Sequence, residues 1–258
     1  MCLLTFFPAT VMPDTTALLN GTYLNDNGHG FAIVTGDQIL VHHGMDAEAT
    51  VEAFTVARHR HPDGPALFHS RFTTHGSTSL DNCHPFAVGG DHRTVLAHNG
   101  VLPRVVQPGK GDPRSDTRIT AETFLPRFGS LHLRRARLRF ERWMTPDNKM
   151  VILTVDRRFK QSAYILNEDS GVWDGGIWYS NQGYRAPGPG WGWSTWDHTA
   201  DELDRCLECH SAIDPGDGVC RSCGWCFDCG EIPQYCICYT PAALAPRLTR
   251  NSRSWQPG

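Results

Sequence analysis

Eight of the ten cysteines in this 258-residue chain fall between Cys206 and Cys238; only Cys2 and Cys83 lie outside that stretch. This split constrains the fold more than any other feature. Eight thiols within 33 residues leave too few apolar side chains for a core, so that segment folds only if its cysteines are tied together. The residues before it have ordinary globular texture and must supply a core of their own. The whole chain is 40% hydrophobic and 20% charged, which suits one sizeable domain plus a small appendage.

A formal net charge of −3 exerts no overall pull toward nucleic acid or an anionic membrane. No apolar stretch approaches a membrane span. The first lysine or arginine is Arg58, so the cationic start of a secretory signal is missing. A reducing, cytoplasmic setting is therefore expected, in which clustered cysteines bind metal rather than pair as disulfides.

Up to about Asn181 the sequence alternates strand-like and helix-like stretches. "CLLTFF", "GFAIVTG", "QILVHHG" and "PALFHSRF" read as strands bounded by Gly, Asn, Asp and Pro. "DAEATVEAFTVARHRH" carries Val51, Phe54, Val56 and Ala57 at helical spacing, with Asp46 near its start. "TVLAHNGVL" returns to strand and breaks at Asn99-Gly100; "SDTRITAETFLPRF" follows, with Ser115 or Asp116 as N-cap. "LHLRRARLRFERWM" fits a helix through Leu133, Ala136, Phe140 and Trp143, its five arginines forming a solvated face. "MVILTVD", "SAYILNED" and "GGIWYSN" give a second set of strands. This order suggests a layered fold rather than a Rossmann unit. Residues 182–200 form a Pro/Gly/Trp-rich linker, 201–240 the cysteine module and 241–258 a tail.

The second residue raises a chemical question. Initiator Met is generally removed when the next side chain is small, which would leave Cys2 carrying both a thiol and a free α-amine. That amine, with an unperturbed pKa of about 7.7–8.0, can serve as base for its own thiol. Four stretches bear on this: "HSRFTTHG" (69–76), "DNCHPF" (81–86), "LAHNG" (96–100) and "RSDT" (114–117). Each is common by itself. Together with Cys2, and in this order and spacing, they resemble the class II glutamine amidotransferase domain of the N-terminal nucleophile hydrolases over residues 2–181.

The resemblance implies an α+β fold, a four-layer αββα sandwich, and hydrolysis of L-glutamine to glutamate and ammonia. By it, Cys2 is the nucleophile, while the Asn99 side chain and the Gly100 N–H form the oxyanion hole. Arg71 pairs with the substrate α-carboxylate, and Asp116 receives the α-ammonium. Phe72, Thr74 and His75 add substrate contacts. Cys83 is a bystander, His84 a loop organiser, and His98 takes no assigned role. Most members of that family fuse the glutaminase to a synthase that consumes the ammonia. Nothing of synthase size follows residue 181 here, so the acceptor ligase or synthase is expected on another chain, unless the enzyme simply hydrolyses glutamine. The alternatives are an amidohydrolase acting on another amide, and an inactive zinc-based interaction protein.

Cys206-x2-Cys209 and Cys220-x2-Cys223 have zinc-ribbon spacing, and Cys226, Cys229, Cys236 and Cys238 make a second set of four. Two structural zinc ions are expected, paired consecutively because each tetrad then closes short loops. A cross-braced pairing, a disulfide scaffold and an iron–sulfur cluster are the alternatives. Glu208, Asp214, Asp217, Asp228 and Glu231 surround the cysteines, which argues for protein docking over nucleic-acid binding.

Overall fold

The computed structural model describes residues 2–73, 76–185, 211, 219–224 and 226. The chain divides into two compact units, Met1–Ser194 and Thr195–Gly258. The first is an α+β fold built on two antiparallel sheets.

In the larger sheet the strand order is β3-β2-β4-β1-β10-β9. Its members are β1 (Leu3–Phe7), β2 (His29–Thr35), β3 (Gln38–Gly44), β4 (Ala66–Ser70), β9 (Val172–Asp174) and β10 (Ile177–Tyr179). β1 is central, with β4 on one side and β10 on the other. All five of its residues are buried, which is why it reads as an unbroken apolar run rather than an alternating one. The smaller sheet runs β5 (Phe86–Val88), β6 (Asp91–Asn99), β7 (Lys149–Thr154), β8 (Ala163–Leu166).

Alternation of side chains along these strands feeds three separate cores. Leu4, Phe6, Ala32, Leu67 and Trp178 of the larger sheet meet Val95, Ala97, Val151 and Leu153 of the smaller one. On the larger sheet's outer face, Leu3, Phe7, Phe31 and Phe68 pack against α1 (Thr15–Leu24) and α2 (Ala47–Arg60) through Leu18, Val51 and Phe54. On the smaller sheet's outer face, Leu96, Met150 and Ile152 pack under Leu125, Phe140 and Trp143. These come from α4 (Leu125–Phe128) and α5 (Arg134–Met144). The layers are helix, sheet, sheet, helix.

Local chemistry explains the helices. Asp14 and Asp46 cap α1 and α2, each carboxylate accepting from the third residue on, Ala17 N at 3.0 Å and Ala49 N at 2.8 Å. α3 (Asp116–Ile119) passes through a wide π turn at Thr120–Phe124 into α4. Pro126 has no N–H to give back along that turn, and the Ala121 carbonyl instead accepts from Gly89 N at 2.9 Å. Of the five α5 arginines, Arg137 lies over the Tyr164 ring and Arg139 over Phe128; Arg134, Arg135 and Arg142 are exposed.

α1 and the three-residue strands β5 and β9 are additions to the sequence reading. In α1 the pair Asn20-Gly21 looks like a turn, yet it lies within the helix. A Cβ at Gly21 would come 2.3 Å from Leu3 Cδ2, so glycine there lets the helix settle onto β1.

Candidate active site

The strand order places Cys2 immediately before the central strand β1. Leu3 pairs with Ser70 in the ladder, which brings Cys2 opposite the exit of β4. The half-buried thiol accepts from the Phe72 peptide N–H at 3.3 Å. Burial pushes the Cys2 thiol pKa up from its ordinary value; the Phe72 peptide and Arg71 pull it down, and Asp116 adds to the rise. Burial wins, so the resting sulfur holds its proton and needs a base.

Arg71 is itself buried. Its pKa is lowered by burial, against the opposing pull of Cys2, Cys83 and Asp116. Its Nη1 donates to Ser77 O at 3.0 Å. The backbone on either side is clamped by the loop before β2: Arg71 N donates to Gly28 O, Asn27 N to Arg71 O, and Thr73 N to Asn27 Oδ1. The Phe72 side chain is exposed.

Asp116 opens α3, one residue after the cap Ser115, whose Oγ accepts from Arg118 N at 3.2 Å. A carboxylate at that end is favoured by the helix dipole. Its Oδ2 accepts from Leu102 N at 2.9 Å and its Oδ1 from Thr117 N at 2.7 Å. Asp116 therefore fastens the loop that follows Asn99-Gly100, its Oδ1 also lying 3.3 Å from the Thr117 hydroxyl and its Oδ2 3.5 Å from Gln107 Nε2.

Asn99 ends β6. Its Nδ2 donates to Ser180 Oγ at 2.8 Å, which leaves the second amide hydrogen available. Ser180 also accepts from Leu4 N at 2.9 Å, and its own N–H donates to Leu4 O. The next residue, Asn181, donates from Nδ2 to Cys2 O at 2.8 Å. Two adjacent side chains thus hold the end of β1 and the end of β6 together. Gly100 sits at φ +141°, and a Cβ on it would fall 2.4 Å from Asn148 Oδ1. No other residue type fits that position without a shift.

Behind Asn99 lies a layer of buried imidazoles. His69 stacks on His84 with ring centroids 4.0 Å apart. His69 Nε2 donates to His98 O at 3.0 Å, and His84 Nδ1 accepts from His98 N at 3.3 Å. Burial lowers the pKa of all three, that of His69 to about 3. They are neutral at physiological pH.

Thr74 and His75 lie outside the described residues, as do Cys206, Cys209, Cys229, Cys236 and Cys238. Of the first expected metal tetrad, Cys220 and Cys223 are described. They flank one tight turn, closed by Gly224 N donating to Cys220 O at 2.8 Å, with Gly224 at φ +76°. Val219 and Cys226 bridge across its base. Among the described residues, no three His, Cys, Asp or Glu side chains are grouped as metal ligands. None of the helices among them is long and apolar enough to cross a membrane.

Three solved structures align with parts of this chain. The glutamine phosphoribosylpyrophosphate amidotransferase of B. subtilis, complexed with ADP and GMP, aligns over 69% of this chain with 16% identity and a TM-score of 0.45. The chain is structurally similar to class II glutamine amidotransferase domains. A structure described as the allosteric regulatory enzyme of purine biosynthesis aligns over 60%, with 19% identity and a TM-score of 0.44. A glutamine aminotransferase class-II domain protein from Silicibacter pomeroyi aligns over 60% of this chain and 73% of its own, with 15% identity and a TM-score of 0.33. The chain spans 41% of the first of these proteins and 36% of the second. No protein-family model matches the sequence, and no curated protein matches it.

The sequence reading missed Ser180, Asn181 and Asn148. "YSN" at the end of the last strand carried a local signal, polar residues closing an apolar strand, but nothing in it named Cys2 or Asn99 as partners.

Proposed function

We propose that this protein is a glutaminase that uses Cys2 as nucleophile. The observation that carries the proposal is the pair Ser180–Asn181, which ties Asn99 and Cys2 to one point of the fold. A nucleophile and an amide donor held by adjacent residues fit acyl transfer from an amide.

In this reading Met1 is removed. The α-amine of Cys2 takes the thiol proton, and the sulfur attacks the glutamine side-chain carbonyl carbon. The resulting oxyanion accepts from Asn99 Nδ2 and Gly100 N. The ammonium so formed returns its proton to the departing nitrogen as the C–N bond breaks, releasing ammonia. Water then attacks the glutamyl thioester, giving glutamate and restoring the thiol. Arg71 holds the substrate carboxylate and Asp116 its ammonium, so a free α-amino acid is gripped at both charges. Phe72, Thr74 and His75 complete the binding loop.

The cysteine module is assigned two structural zinc ions, on Cys206, Cys209, Cys220 and Cys223, and on Cys226, Cys229, Cys236 and Cys238. The turn at Cys220–Cys223 supports this: a tight loop with Gly just past the second cysteine suits two thiolates on one ion. Such zinc supplies folding free energy rather than chemistry. We assign the module to docking an ammonia-consuming ligase or synthase, in the cytoplasm.

Ammonia release from purified protein, with and without glutamine, tests the central claim. Diazo-oxo-norleucine is expected to label Cys2 and spare Cys83. Labelling elsewhere, or full activity in Cys2→Ala, refutes the assignment. Active protein whose intact mass retains Met1 refutes the role of the amine.

A further inference from the structure

His98 and Asn148 are buried polar residues that the mechanism above does not use, and they lie between the two halves of the proposed site. Asn148 closes the turn that leads into β7. Its Nδ2 donates to Met144 O and to Thr145 Oγ1, and its backbone carbonyl accepts from Asn167 Nδ2 at 2.6 Å. With Nδ2 committed, Oδ1 faces His98 Nε2 at 2.8 Å and must accept, so Nε2 carries the proton. The opposite nitrogen, His98 Nδ1, lies 3.0 Å from Thr117 Oγ1. The Thr117 hydroxyl also lies 3.3 Å from Asp116 Oδ1. It has one proton and two claimants.

The other contact of Asn148 is with Gly100. A Cβ on Gly100 would meet Asn148 Oδ1 at 2.4 Å and Asn148 Cα and Cγ at 3.0 Å. The Gly100 backbone therefore rests directly on the carboxamide that His98 holds. A continuous chain runs from Asp116 through Thr117, His98 and Asn148 to Gly100.

Building on the glutaminase reading, we infer that Asn148 is a positioning residue that sets the Gly100 peptide, with His98 linking it to the helix end that bears Asp116. The amino-acid anchor and the oxyanion donor then share one rigid support. Asn148 touches neither substrate nor sulfur. Its effect falls on kcat, through the placement of Gly100, and leaves the grip on the α-amino acid intact.

The test pairs kinetics with a direct view of Gly100. Labelling Asn carbonyl carbons with 13C and Gly nitrogens with 15N reduces the amide spectrum to three peptides, Asn20–Gly21, Asn27–Gly28 and Asn99–Gly100. Asn148→Ala is expected to move the Gly100 cross-peak and leave the other two in place. It is expected to lower kcat about 100-fold, as for a catalytic group misplaced by about 1 Å, with KM for glutamine within about threefold. Asn148→Asp keeps an oxygen for His98 and restores most of kcat. An unmoved cross-peak, an unchanged kcat, or a KM that rises as far as kcat falls overturns the inference. If Asn148→Ala does not fold, His98→Gln and His98→Leu decide: Gln offers an N–H to Asn148 and holds kcat, Leu does not, and equal behaviour of the two overturns the inference. Should the wild type release no ammonia, the glutaminase reading falls while the Gly100 cross-peak still decides this one.

Discussion

Moving from about pH 7.5 to about pH 5.5 is expected to destabilise the folded protein, by about 1.4 kcal/mol through His69 and further through His84 and His98, against ordinary unfolded pKa values near 6.5. His69, His84 and His98 are buried, and burial holds each below its ordinary pKa. Asp116 opposes the shift at His98 without reversing it. Below about pH 6.5 the unfolded chain takes up protons that the native state refuses, so stability present above that pH is lost as pH falls. For His69 the loss continues down to about 3. His69 contributes about 1.4 kcal/mol by about pH 5.5, a sizeable part of a typical 5–15 kcal/mol stability, and His84 and His98 act in the same direction. Asp112 and Asp156, each held down to about 2 by its arginine partner, shift stability in the same direction. Their window opens only below about pH 4, so the two contributions separate on the pH axis. Urea unfolding at a series of pH values measures the slope. His69→Gln keeps a donor for His98 O but cannot titrate, and should remove about one proton from the uptake on unfolding. A flat stability between the two pH values, or an unchanged slope in His69→Gln, refutes the neutral layer.

Asn99→Ala is expected to lower ammonia release about 10²–10³-fold if its amide donates to the oxyanion; a wild-type rate contradicts that role. Arg71→Lys and Asp116→Asn should chiefly raise KM for glutamine, and simple alkyl amides should be poor substrates of the wild type, both read by steady-state kinetics. Arg58 is fully buried and donates to Pro8 O, Val11 O, His61 O and Gly64 O. Its loss in Arg58→Met leaves four carbonyls short of a donor, so thermal and urea unfolding should show a drop of more than about 3 kcal/mol. Elemental analysis should find two zinc ions per chain, and a chain ending at Tyr184 should keep basal glutaminase activity while losing coupling to its ammonia acceptor.

Residues whose chemistry is written in a short motif stand out in the sequence itself: Cys2, Arg71, Asn99-Gly100 and Asp116. The fold brings Cys2, Arg71 and Asp116 within electrostatic reach of one another. Their supports are not legible there, because support is a matter of tertiary closure. Ser180 meets Asn99 across 81 positions of sequence, and Asn181 meets Cys2 across 179. The strands with clear apolar runs are evident, as is α2, whose apolar spacing and Asp46 cap agree. α1 is hidden because Gly21 answers to Leu3 packing rather than to helix propensity, and β5 and β9 are too short to show a period.

The proposed chemistry straddles two sheets, with the nucleophile at the end of a strand in one and the amide donor at the end of a strand in the other. Between those sheets lies an apolar filling that includes two alanines, Ala32 and Ala97, both fully buried. The working gap is then a thickness, set by the bulk of side chains that never approach the substrate. Enlarging Ala97 by even one or two methyl groups would wedge the sheets apart at the end where Asn99 hangs from Ser180. Such a change would act on the reaction as a spacer acts on a jaw, and its trace would be a slower rate in an enzyme whose every reactive group is still present.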